Sequence, residues 1–246
     1  AIPSYTPPAP VKEVRQPDPI PAPVQQAPAP AEPEVEQVPE EPVEEPVVWV
    51  DPYADALSAM DFAALREVNS EVLGWILIPD TVVNYPLMQA EDNSYYLERT
   101  WDHKSNAMGS IFLEQLSSPD LTDPNTIVYG HNMNDGSMFA SLRNYREQAY
   151  FEAHPYVYIL SDYGVYRYEI YSSYTASVKS NTYGVEFPTE TSWLRFLEKS
   201  LEDSVIDTGV ELQPTDRILT LSTCTRYFGN FADQRFIVMA KLVPIN

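Results

Sequence analysis

The sequence predicts a mainly β domain, a barrel or sandwich with peripheral helices, and three observations carry that prediction. Short β-like runs outnumber helical ones along the chain. No regular alternation of strand and helix appears, and no internal repeat is evident. One pair of runs, residues 156–160 and 165–178, alternates aromatic and polar side chains about an Asp162-Tyr163-Gly164 turn and reads as a hairpin.

The elements follow in order. Asp51-Pro52 opens a helix predicted over residues 53–69, with Leu57, Met60, Ala64, Leu65 and Val68 on one face. Short β runs at 72–77 and 81–88 are broken at Pro79-Asp80, and residues 93–101 resemble a short helix. Strands at 109–113 and 126–129 precede a helical segment at 137–150. After the hairpin comes a helix at 191–203, with Trp193, Phe196 and Leu197 on its inner side. Two apolar runs, 217–224 and 235–243, finish the chain as neighbouring strands.

Composition divides the 246 residues in two. Residues 1–50 hold 14 of the 23 prolines, no glycine, and nine acidic against two basic residues. A segment without apolar periodicity cannot offset its ordering entropy, so a disordered, polyproline-II-leaning linker or stalk is expected there. Residues 51–246 then form one domain large enough to bury a core. The formal net charge of −21 disfavours nucleic acid and anionic lipid headgroups as partners. No run of 18 or more apolar residues occurs. The chain starts at Ala1, and a stalk on that side suits a membrane-tethered domain, so a tether upstream of residue 1 is expected.

Cys224 is the lone cysteine and ends an apolar run. It cannot form an internal disulfide, so it acts either as a small buried hydrophobe or through its reactivity. A thiol nucleophile needs a proton-transfer partner and a donor for the developing oxyanion. Three histidines are candidates for the first. His131 follows an apolar strand and precedes a polar turn, His103 lies in a polar stretch, and His154 sits at a helix end before Pro155. Arg235, at the facing end of the last strand, and Arg226, two residues beyond Cys224, are the candidate guanidinium donors. No carboxylate cluster has a calcium-loop pattern, so neither a metal nor another cofactor is expected.

Thr-Leu-Ser-Thr-Cys224 with Arg235 on the following strand, Tyr-Gly-His131-Asn-Met upstream, and Gly-Ser-Ile-Phe-Leu113 before it resemble the sortases, specifically class B. The resemblance runs from about Leu73 to Val243 and includes Asn-Tyr-Pro-Leu87. It implies a sortase-type eight-stranded β-barrel with peripheral helices, including an N-terminal helix and a long helical insertion before the last two strands. It also implies a cysteine transpeptidase at the outer face of a Gram-positive cell. Such an enzyme cleaves a C-terminal sorting signal of a secreted protein after threonine and transfers the protein to an amine of peptidoglycan or a pilin lysine.

Carried over, Cys224 is the nucleophile, His131 the acid and then base, and Arg235 the oxyanion and substrate-backbone donor, aided by the N–H of Thr225. Asn93, Leu97, Thr182, Tyr183 and Ser222 match positions that line the signal groove. The loop after Cys224 opens Thr-Arg-Tyr-Phe228, where class B relatives can be acidic, so signal preference is not inherited whole.

Two other readings compete. A papain-like hydrolase lacks support because its signature is absent and the cysteine follows the histidine; an L,D-transpeptidase has its nucleophile in a Gly-Cys-rich segment missing here. A non-catalytic surface adhesin accounts for the linker but leaves the cysteine, histidine and arginine unconnected.

Overall fold

A computed structural model describes residues 51–224 and 233–245. The Pro/Glu-rich segment 1–50 lies outside the described residues, as do Thr225 and the rival guanidinium of Arg226.

Eight strands close into a barrel: β1 (Val72–Leu77), β2 (Asn84–Met88), β3 (Ile111–Leu113), β4 (Asn125–Tyr129), β5 (Tyr156–Ser161), β6 (Gly164–Ser177), β7 (Ile218–Cys224) and β8 (Gln234–Val243). Their order around the barrel is β1-β2-β3-β4-β7-β8-β6-β5, with β5 pairing back onto β1. The expected closed barrel is therefore present, and closure removes the exposed edges an open sheet would present. Most neighbours are antiparallel, whereas β2 with β3 and β4 with β7 run parallel.

Strand alternation sorts side chains between two environments. Leu219 and Leu221 of β7 point inward, with Phe236 and Val238 of β8, into a core that includes Ile76, Leu87, Val128 and Ile170. Ile218 of β7 and Ile237 and Met239 of β8 point outward and are covered by Trp193, Phe196 and Leu197 of α4 (Glu190–Glu202). That helix is the long insertion expected before the last two strands. It starts at a capping box in which Thr189 and Ser192 satisfy each other's backbone donors.

The N-terminal helix departs from expectation. In place of one helix over 53–69 there are two, α1 (Pro52–Ser58) and α2 (Ala63–Val68). Leu57 and Phe62 are both buried in the cluster against β1, β2 and β5. Five residues apart, they would lie about 140° from each other on a continuous helix. Breaking the helix at 59–62 lets both reach the same sheet, and Val68, expected on the inner face, is 54% exposed. The helix expected at 137–150 is likewise divided, into a 3-10 segment at Ala140–Arg146 and α3 (Gln148–Ala153), separated by the extended Glu147.

The start of the domain is fastened to the barrel. Asp51, 1% exposed, caps α1 through the N–H groups of Tyr53 and Ala54 and accepts from Arg167 at 3.0 Å and Tyr158 at 2.8 Å. Arg167 also donates to the Pro244 carbonyl at 2.6 Å. Among the described residues no helix is long and apolar enough to cross a membrane.

Candidate active site

Register alone brings the three sequence-predicted side chains to one face. Cys224 is directly opposite Arg235 in the antiparallel β7–β8 ladder, and directly opposed residues point to the same side of a sheet. On the other flank Tyr129 pairs with Ser222 in the parallel β4–β7 ladder. Two residues further on, His131 is level with Cys224 and, by period-two alternation, on the same outward face.

The Cys224 thiol and His131 imidazole are joined by a hydrogen bond, which is the largest cause lowering the thiol pKa and raising that of the imidazole. Partial burial opposes both shifts, and the Arg235 charge lowers the thiol further. The pair is therefore biased toward thiolate and imidazolium, the charged state that attack by sulfur requires. His131 Nε2 is 2.7 Å from the Leu97 carbonyl. A carbonyl only accepts, so Nε2 carries a hydrogen there, leaving Nδ1 to exchange a proton with sulfur.

The other two histidines serve elsewhere. His103 is exposed and within 3.0 Å of the Tyr95 hydroxyl. His154 follows α3, with its Nδ1 3.1 Å from the Pro79 carbonyl and its ring against Tyr150. Neither hydrogen bond reaches Cys224.

The remaining predicted positions surround this pair in different ways. Leu97, 40% exposed, ends the 3-10 turn Tyr95–Leu97 and supplies the carbonyl that holds His131. Ser222 is buried, and its hydroxyl meets Tyr183 at 2.9 Å. Thr182 is buried, with its hydroxyl 3.1 Å from Tyr174 and its carbonyl accepting from Asn125. Asn93 precedes the 3-10 turn; its amide donates to Glu114 at 2.7 Å and accepts from the Gln115 N–H at 2.8 Å.

Four residues of the surround were not singled out from sequence. Asn125, fully buried on β4, donates to the Thr182 and Gly184 carbonyls and accepts from Thr220, pinning the 181–184 turn over the strands. Tyr129 stacks on Tyr183 and donates to Glu114, itself 7% exposed. Asn132 bonds the Cys224 carbonyl. The available signal was a polar residue inside an apolar strand, since a buried carboxamide must find partners. Among the described residues no group of three or more His, Cys, Asp or Glu is placed to hold a metal ion.

A half-buried thiol hydrogen-bonded to an imidazole, opposite a guanidinium on a closed β-barrel, defines a thiol enzyme built for acyl transfer. The sortase-domain family model matches residues 76–243. Sortase B of Listeria monocytogenes is 37% identical over 179 residues, covering 73% of this chain and 72% of its own. A Staphylococcus aureus sortase B–substrate complex superposes with a TM-score of 0.70 at 31% identity, over 75% of this chain and 85% of the other. The crystal structure of Bacillus anthracis sortase B in complex with AAEK2 gives a TM-score of 0.68 at 37% identity, over 75% and 83%. The chain belongs to the sortase family, in its class B, and is a sortase cysteine transpeptidase.

Proposed function

We propose that this transpeptidase cleaves a C-terminal sorting signal of secreted proteins after a threonine and transfers the protein to an amine of the cell wall or of a pilin. The observation that carries the reading is the Cys224–His131 hydrogen bond with Arg235 directly opposite. The similarity to a sortase B solved with its substrate supports a signal-bearing protein as donor. The class B resemblance favours an Asn-Pro-x-Thr or related core.

In the first half-reaction the Cys224 thiolate attacks the threonine carbonyl, and a tetrahedral oxyanion forms. Arg235, charged at any relevant pH and offering a planar fork of donors, stabilises that oxyanion together with the N–H of Thr225. His131 gives its proton to the departing amine as the C–N bond breaks, leaving a thioester on Cys224. In the second, His131 takes a proton from the incoming amine, whose nitrogen attacks the thioester. The C–S bond then breaks and the thiolate returns. Asn93, Leu97, Thr182, Tyr183 and Ser222 border the signal.

The enzyme works at the extracellular face of the membrane, tethered upstream of residue 1, with residues 1–50 as a stalk and 51–246 as the catalytic domain.

The test is intact-protein mass spectrometry with a panel of sorting-signal peptides, wild type beside Cys224→Ala. An adduct of the N-terminal peptide fragment, discharged by an added amine and absent in the variant, is expected. Native protein that neither cleaves nor forms an adduct across the panel, with a thiol inert to alkylation until unfolding, would overturn it.

A further inference from the structure

The ladder between β4 and β7 ends on a side chain that takes the place of a main-chain amide. Gly130 N–H donates to the Ser222 carbonyl at 3.2 Å. In a parallel ladder the donors on one strand and the acceptors on the other recur every second residue. The next bond in that series would run from the N–H of Asn132 to the carbonyl of Cys224. Instead, the carboxamide Nδ2 of Asn132 donates to that carbonyl at 2.6 Å. The main chain has by then turned toward a different partner: Asn132 bridges Met138, and the His131 carbonyl accepts from Phe139 N–H at 2.9 Å.

The substitution has a chemical consequence. A peptide unit is planar and trans, so holding its C=O also fixes the direction of the N–H it carries on its far side. Backbone N–H groups work as oxyanion donors only when held ready before charge develops. We propose that Asn132 is a positioning residue for acyl transfer: by holding the Cys224 carbonyl, it orients the peptide unit that follows the nucleophile. This rests on the reading that Cys224 is acylated. Because the carboxamide is uncharged and bonds the carbonyl, its loss acts on the oxyanion stage and leaves the reactivity of the thiolate itself in place.

Two reagents that are not sorting signals separate those effects. With p-nitrophenyl acetate the Cys224 sulfur attacks the ester carbonyl through an oxyanion, an S–C bond forms, and p-nitrophenolate leaves. With iodoacetamide the sulfur displaces iodide and no oxyanion forms. Asn132→Ala and Asn132→Leu are expected to slow acylation about 10-fold, less than the loss of an oxyanion donor itself, with alkylation at the same pH changed by no more than about twofold. Asn132→Gln, which keeps a donor, should recover part of the lost acylation. Cys224→Ala supplies the blank, and circular dichroism verifies folding.

Unchanged acylation in both variants overturns the proposal. So does a parallel fall in acylation and alkylation, or unfolding of both variants, since either makes the role structural. Wild type with no Cys224-dependent acylation overturns it as well. Failure of wild type on sorting peptides would sink the proposed function and leave this comparison intact.

Discussion

His131 Nε2 donates to the main-chain carbonyl of Leu97 at 2.7 Å. The bond orients the ring, leaves Nδ1 for Cys224, and supports the protonated imidazole, whose pKa it helps to raise. A third side chain is not needed to hold the histidine when a fixed carbonyl does so.

The hydrogen bonding of His131 to Cys224 makes the pH dependence of the thiol predictable. His131 lowers the Cys224 pKa most, ahead of the Arg235 charge. Alkylation of Cys224 by iodoacetamide should therefore persist below the ordinary thiol range of about 8.5. His131→Ala should move the midpoint upward, and Arg235→Ala should move it upward by less. An equal or reversed order, read from rate against pH, would show that the hydrogen bond does not govern the thiol.

Turnover should separate the same residues by role. Cys224→Ala is expected to abolish cleavage and transfer, and His131→Ala and Arg235→Ala each to lower kcat/KM by at least about 10²-fold, the scale of a lost acid–base or oxyanion group. Arg235→Lys should not restore it, because an ammonium lacks the planar fork. Steady-state kinetics on a cleavable peptide decides; near-normal activity in any of these variants removes that residue from its role.

Gly109 leaves room for the Leu97 carbonyl, which lies close against its Cα. It has a φ of +61°, and a Cβ there would meet the Tyr96 and Leu97 carbonyl oxygens at 2.5 and 2.6 Å. Gly109→Ala must displace that backbone. We expect stability to fall by about 1–3 kcal/mol, the cost of local backbone strain, as measured by urea denaturation. Peptide turnover below the unfolding range should fall as well, because the acceptor for His131 moves.

The buried Asp51–Arg167 pair lies far from the chemistry along the barrel. Arg167 is level with Val243 at one end of β8, and Cys224 with Arg235 at the other. Asp51→Ala or Arg167→Ala should cost about 3–5 kcal/mol by leaving a buried charge without its partner. Denaturation should register that loss while kcat at low temperature stays near wild type. A fall in kcat without a stability change would contradict it.

How much of this was legible beforehand differs between elements. Strands β5 to β8 were readable within one or two residues because alternation and turn residues are local signals. The apolar spacing of residues 53–69 fits one continuous helix; the break answers to a sheet that Leu57 and Phe62 must both reach, and no local window contains that sheet. Asn93 matches a groove position by motif, but its amide partners, Glu114 and Gln115, lie on another loop that the motif does not reveal.

By itself the sequence determined the chemistry available: one thiol, three histidines, a guanidinium at the start of the last strand, and motifs that mark class B sortases. Position in the chain leaves three histidines open and the class B motif points to His131; how His131 reaches the thiol was decided by tertiary structure, through the parallel pairing that sets Tyr129 beside Ser222 and so carries His131 level with Cys224. The acceptor that holds His131 was decided the same way, since Leu97 reaches it from 34 residues away. Residue types and their periodicity are local properties of the chain. Register between strands far apart in sequence is set by the closure of the whole barrel around its core.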